Sequence, residues 1–350
     1  MANTLDFDRN GEIVEVETAG LAADFSVKSY ILEAADGKEI AYQLTTGKGL
    51  QLLIFQADVP AKSSATYTLK EGIPAPATVK TDAHFVPERK DDFAWENDLA
   101  AYRMYGPALA NEYPSNGVDL WLKNTETPIM AQFYADELQR GVSYHVNHGL
   151  GLDCYDVKHT MGAGGIAPYT SKLWIGNHYD HYELLETGPL RSVFTLVYDS
   201  VLVDDTYYKQ TITITADAGS MLNKAHVRYE GLDKPLRLAA GIFLHKARGN
   251  TFFDKENQVI AYAENAVSNA GVPEGRNYVG VYMPEATGNP LEEDNHYLIL
   301  AHYSVGSEFV YYFGGGWSKW KYPTDEDWFK ALLRFSRAKK EPLKRVPIFY

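Results

Sequence analysis

The residues Tyr144 to Gly165, YHVNHGLGLDCYDVKHTMGAGG, gather three of the ten histidines, two tyrosines, two aspartates, a lysine, the single cysteine and five glycines into twenty-two positions. Imidazole, phenol and carboxylate are the groups that move protons near neutral pH, and glycines let the backbone turn and approach a ligand closely. A second cluster, HFVPERKDDFAWENDLAAYRMYGP, places Arg89, Trp95, Glu96, Asn97 and Arg103 within fifteen residues. Such groups suit a sugar acid, with Trp95 stacking on a ring and Glu96, Asn97 or Arg103 making planar hydrogen bonds. The plain alternatives are a loop that satisfies its own backbone and a solvated, charge-paired hairpin.

The chemistry that fits these residue types is proton abstraction at C5 of a uronic acid. Charge accumulates beside the carboxylate, so a cation must neutralise it, one group must take the proton, and another must protonate what leaves C4. His145 or His148 is the expected base, and Tyr155 assists the leaving C4 hydroxyl. Arg103 with Lys158 is expected to hold the carboxylate, Arg191 being a further candidate, and Asp153, His159 and His178 are expected around the sugar. His145, His148 and His159, with the Asn177–His181 run NHYDH, also offer nitrogen and oxygen ligands for a metal. Their spacing matches no specific zinc motif, so proton transfer without a cofactor is the preferred use, a metal remaining possible. GLGLD and MGAGG lack the strand-turn-helix setting of a nucleotide loop, and no GxSxG elbow is present. His226, His245, His296 and His302 read as structural residues within strands.

Positioning these groups falls to a largely β chain. The chain has 350 residues, 45% hydrophobic and 23% charged, which is ample for a large core. A net charge of −13 opposes nucleic acid as a partner. One cysteine, Cys154, permits no internal disulfide. No apolar run is long enough to span a membrane. The start, MANTLDFDRNGEIVEV, passes at once into strand-like sequence, and a native export signal removed from this start is the expectation. That expectation puts the native protein in the periplasm or at the cell surface, with the cytoplasm left open.

Short alternating runs broken by DG, GKG and PAKSS predict a small N-terminal β region over residues 1–80, ending in the crossover IPAPATVK. A catalytic domain over 81–350 follows. About ten strands, among them KLWIG, RSVFTLVYDSV, YYKQTITITAD and EFVYYFGGGW, predict two large antiparallel sheets face to face. The expected class is therefore all-β, an antiparallel β-supersandwich of the galactose-mutarotase type. PIMAQFYADEL reads as a short helical or extended piece. DEDWFKALLRFSRAKKEP reads as a C-terminal helix, with Trp328, Leu332, Leu333 and Phe335 on one face and acids in the first turn.

The runs FVPERKDDFAWEND, YRMYGPA, GVDLWLK, HGLGLDCYDV with the following GAGG, and GGGWSKWKYPTDEDW resemble a family encoded in polysaccharide-utilisation loci of marine and gut bacteria. The resemblance spans about Glu12 to Tyr350. One branch of that family resembles ulvan oligosaccharide dehydratase, which removes water from a non-reducing-end uronic acid to leave a 4,5-unsaturated sugar. By resemblance, His148, Gly149, Gly151, Leu152, Asp153, Tyr155, Gly162, Gly164 and Gly165 match its most recognisable run, as do Trp95, Glu96, Asn97 and Arg103. The resemblance implies a hydro-lyase acting on uronic-acid oligosaccharides. The alternatives kept open are a β-elimination lyase that cuts the glycan, and a glycan-binding or mutarotase-like protein.

Overall fold

The computed structural model describes residues 1–47, 49–110, 116–246 and 249–346. The chain is an antiparallel β-supersandwich with a small β region before it and a short helix at its C-terminus. One wall is an eight-stranded sheet, in spatial order His181–Glu186, Arg191–Val203, Thr206–Asp217, Asn223–Glu230, Phe309–Trp317, Pro273–Tyr282, Val259–Val267 and Asn250–Asp254. The facing wall has two parts. Five strands run in the order Gly151–Asp153, Asp119–Lys123, Ala101–Met104, Asp92–Glu96 and Asp82–Val86, and four run Ala163–Tyr169, Leu236–Phe243, His296–Tyr303 and Ala286–Glu293. A bridge between Val118 and Gly162 joins the two parts.

Period-two alternation builds the core between the walls. Phe93, Trp95, Tyr102, Leu120, Leu122 and Leu152 point inward from the five-stranded sheet and meet Phe194, Leu196, Tyr311 and Phe313 of the eight-stranded one. The GGGW run lies here: a side chain at Gly315 would collide with Leu120, so glycine lets the two walls close. Helix α1 (Met130–Arg140) covers the outer face of the five-stranded sheet, packing Met130, Phe133 and Tyr134 on Trp121 and Tyr144. Helix α2 (Asp325–Lys340) covers the outer face of the eight-stranded sheet through Trp328 and Leu332, and Thr324 with Asp327 forms its capping box.

The N-terminal strands form two three-stranded sheets, Arg9–Glu17 with Leu50–Val59 and Tyr42–Gly47, and Glu39–Ile40 with Tyr30–Ala34 and Tyr67–Glu71. Gln43 stitches this region to the sandwich, accepting from the Leu190 and Arg191 amides at 2.9 and 3.0 Å. The KLWIG run expected as a strand makes only an isolated bridge, Leu173 to Tyr169. Trp174 turns back there, its amide on the Pro168 carbonyl and its indole on the Thr170 hydroxyl. The PIMAQFYADEL run resolves to helix, because its apolar Met130, Phe133 and Tyr134 repeat at helical spacing.

Candidate active site

On the five-stranded sheet the residues that alternate with the core positions are Asp92, Ala94 and Glu96, then Ala101 and Arg103, then Asp119, Trp121 and Lys123, and finally Asp153. They face away from the sandwich, and α1 buries much of this layer. A buried guanidinium needs acceptors, and Arg103 has three carboxylates: Asp119 at 2.6 Å, Asp153 at 2.9 Å and Asp92 at 3.5 Å. Antiparallel register puts Asp119 directly opposite Arg103. The ring of Tyr105 lies under the same guanidinium, 4.5 Å from its centroid, and its hydroxyl accepts from Arg103 at 3.0 Å. Burial pushes the Asp92 carboxyl up to about 6, against the pull of Arg103. Burial, then the neighbouring Asp119 charge, holds Asp153 well above the usual carboxylate range.

The glycine-rich loop lies against this layer. Its residues 151–153 pair as a short strand with Asp119–Lys123, and Gly151 sits at φ 144° where a Cβ would overlap the Leu122 carbonyl. That pairing carries Asp153 to Arg103 and sets His145 beside it. The His145 Nδ1 lies 3.1 Å from the Asp153 carbonyl oxygen, which can only accept, so Nδ1 carries the proton. Nε2 therefore bears the lone pair, and it has no hydrogen bond to a described residue. Burial lowers the His145 pKa, which favours the neutral ring with its free lone pair.

Beside His145 opens a cleft of about 310 Å³ lined by Arg89, Arg103, Tyr105, His145, Asp153 and Tyr155, among others. Arg89 donates its Nε to the Tyr144 hydroxyl at 3.1 Å, and among the described residues no carboxylate pairs with it. Its remaining N–H groups are available for a planar anion. Tyr155 is buried, and its hydroxyl donates to the Phe243 carbonyl at 3.3 Å. Burial holds its phenol protonated well above the ordinary range. The Cys154 thiol is likewise pushed up by burial and is no thiolate nucleophile. A larger cavity of about 650 Å³ lies between residues 7–13 and α2. No imidazole lines it, and its Glu12 and Asp217 are engaged by Arg9 and Arg191.

Residues 1–344 match the family model described as a domain of unknown function, DUF4861. The chain belongs to the DUF4861 family. It is 28% identical over 374 aligned positions to "Uncharacterized protein P7" of Formosa agariphila, covering 98% of this chain and 91% of that protein. Among solved structures it is similar to a protein in the glycosyl hydrolase family 38 from Enterococcus faecalis, with a TM-score of 0.42 and 9% identity over 95% of this chain and 46% of the other. An alpha-mannosidase from Enterococcus faecalis gives 0.39 and 8% identity, over 95% of this chain and 44% of the other. The chain spans less than half the length of either structure.

The DUF4861 chain places the expected site residues in three groups. Arg89, Arg103, His145, Asp153 and Tyr155 come together at the cleft, but Arg103 does so as a support whose guanidinium is consumed by carboxylates rather than as the clamp on substrate. Trp95, Glu96 and Asn97 are corrected to structural residues. Trp95 is 0% exposed, stacked on Tyr102 and donating to Asn223. Glu96 is held by Lys123 at 2.6 Å and accepts the Ile129 and Met130 amides that open α1, while Asn97 ties the turn before Ala101 to the Asp217 and Ser220 carbonyls. Arg191 is corrected too: it sits at the N-terminal seam, paired with Asp217 and Glu15 at 2.6 Å each.

Among the remaining expected residues of the DUF4861 chain, His148 and His159 are exposed, His178 is buried, and none of the three lines the cleft. His148 spends Nε2 on the Ser143 carbonyl. Lys158 is exposed and pairs with Asp156, a lining residue. Among the described residues no three His, Cys, Asp or Glu side chains are grouped as metal ligands. Tyr105, Asp119 and Glu264 were not singled out by sequence, and His245, read there as structural, pairs with Glu264. The alternation of Asp119, Trp121 and Lys123 with Leu120 and Leu122 was the available signal for a buried ionic layer.

Proposed function

We propose that this protein is a hydro-lyase that eliminates water across C4–C5 of a non-reducing-end uronic acid in an ulvan-type oligosaccharide. The observation that carries the reading is a single cleft holding a neutral His145, fixed in the tautomer with its Nε2 lone pair available, and an Arg89 guanidinium without a carboxylate partner among the described residues. Arg89 binds the uronate carboxylate and offsets the charge that builds beside C5. His145 Nε2 takes the C5 proton, the C5–H electron pair becomes the C4–C5 double bond, and the C4–O bond breaks. Tyr155, kept protonated by burial, gives its proton to the departing oxygen, which leaves as water. The proton on His145 then returns to the phenolate through solvent, completing the cycle. Arg103 and its carboxylates hold Asp153, whose carbonyl sets the His145 tautomer.

Mass spectrometry of saturated uronate-terminated oligosaccharides after incubation tests this reading. Loss of one water from an intact chain is expected. Scission into two fragments would make the protein a glycan lyase using the same groups, and an unchanged mass would leave binding or mutarotation.

A further inference from the structure

His245 lies just beyond the strand Leu236–Phe243, and both of its ring nitrogens face acceptors. Nδ1 sits 2.9 and 3.0 Å from the two carboxylate oxygens of Glu264, and Nε2 sits 2.9 Å from the carbonyl oxygen of Asp156. A neutral imidazole has one N–H and would leave one of these contacts as lone pair against lone pair, so the geometry requires the imidazolium. Glu264 is itself buried and is held in place by Asn277 at 3.3 Å. The ring reaches the cleft only through its wall: Tyr155, a lining residue, stands edge-on to His245 with centroids 4.9 Å apart, and Phe243, whose carbonyl takes the Tyr155 hydroxyl, makes the same contact at 4.9 Å.

We propose that His245 is a positioning residue, a charged clasp that ties the Tyr155–Asp156 wall of the cleft to the buried Glu264 and sets an upper pH limit on the cleft's working geometry. The consequence for turnover rests on the elimination reading; the clasp itself does not. On losing its proton, His245 must break with either Glu264 or the Asp156 carbonyl, and the second choice frees the backbone that carries Tyr155. The titratable and charged groups around the ring are Glu264 and Tyr262 from the strand Val259–Val267, and Tyr155, Asp156 and its ion-pair partner Lys158 from the cleft loop. Burial disfavours the charge, but the hydrogen bond and charge of Glu264 outweigh it, and the imidazole pKa is raised.

The test is histidine ¹⁵N and tyrosine ring NMR on the whole protein across a pH series, with His245→Gln and Tyr155→Phe for assignment and kcat/KM measured in parallel. The expected result is a His245 that stays doubly protonated above the pH at which an ordinary imidazole titrates, with the Tyr155 ring resonance moving in the same transition. kcat/KM should fall through that transition, and the His245→Gln variant should lack that basic limb while running about 10- to 100-fold slower below it, the loss that accompanies one charge-assisted hydrogen bond. A His245 that is neutral at pH 7, or a Tyr155 resonance indifferent to its titration, overturns the clasp without reference to any substrate. If the two resonances move together and no unsaturated product forms at any pH, the clasp stands and the elimination reading falls.

Discussion

Replacing Arg89 with glutamine takes away a guanidinium that makes one hydrogen bond among the described residues, to the Tyr144 hydroxyl. Folding should therefore change by only about 1 kcal/mol, the ordinary worth of such a bond. Toward substrate the loss is larger. Nη1 and Nη2 have no partner among the described residues, so they are the donors for a bidentate pair with the uronate carboxylate. Hydrogen bonds to charged groups are worth about 1.5–3 kcal/mol, which converts to roughly a 10- to 150-fold fall in kcat/KM. The assay compares wild type and Arg89→Gln on a uronate-terminated oligosaccharide and on its methyl ester, with circular dichroism confirming the fold. The ester carries no charge for Arg89 to meet, so the variant should lose activity on the acid and little on the ester. Equal losses on both substrates, or none on the acid, would refute the assignment of Arg89 to the carboxylate.

Other outcomes follow from the same geometry. His145→Gln should lower kcat by about 10²- to 10⁴-fold, the usual contribution of a general base, with an unfolding curve close to wild type. Because burial lowers the His145 pKa and only the neutral ring accepts a proton, wild-type kcat/KM should fall as pH drops below the ordinary imidazole range, the acid limb lying below that of a free histidine. Asp92, raised to about 6 by burial, stabilises the fold only while neutral, a contribution fully present below the usual carboxylate range and lost as pH rises through about 6. Asp92→Asn should accordingly gain about 3 kcal/mol relative to wild type between about pH 4 and pH 8, read by urea denaturation at each pH. Lys123→Met leaves Glu96 buried without its cation and should cost about 3–5 kcal/mol; denaturation indistinguishable from wild type would contradict the pairing.

Much of the fold was legible because period-two alternation is strong in RSVFTLVYDSV and QTITITAD, and because the acids Asp325, Glu326 and Asp327 mark the first turn of α2. The glycine-rich loop was legible as a candidate site because so many titratable groups share it. What misled was the charged run around Trp95. Sequence alone reads DFAWEND as solvated or as a binding edge, since charges seldom enter a core. Here all five residues of Asp92–Glu96 are buried, Phe93 and Trp95 in the sandwich and Asp92, Ala94 and Glu96 beneath α1, where Arg103 and Lys123 meet the two acids. Those partners lie 11 and 27 residues away on other strands, and register rather than sequence proximity joins them. His245 reads from sequence as a structural histidine within a strand for the same reason: it gains its meaning from Glu264 and Asp156, which only the folded sheets bring to its two nitrogens.

The central claim is that His145 in this cleft removes H5 from a uronate and water departs from C4. The most direct measurement follows, in one reaction, the absorbance of the conjugated 4,5-double bond and the product mass for wild type, with His145→Gln alongside. The account predicts rising absorbance with an intact chain lighter by one water, and a variant slower by the base's contribution. Wild type that yields no unsaturated product, or a His145→Gln variant that turns over at the wild-type rate, would contradict it.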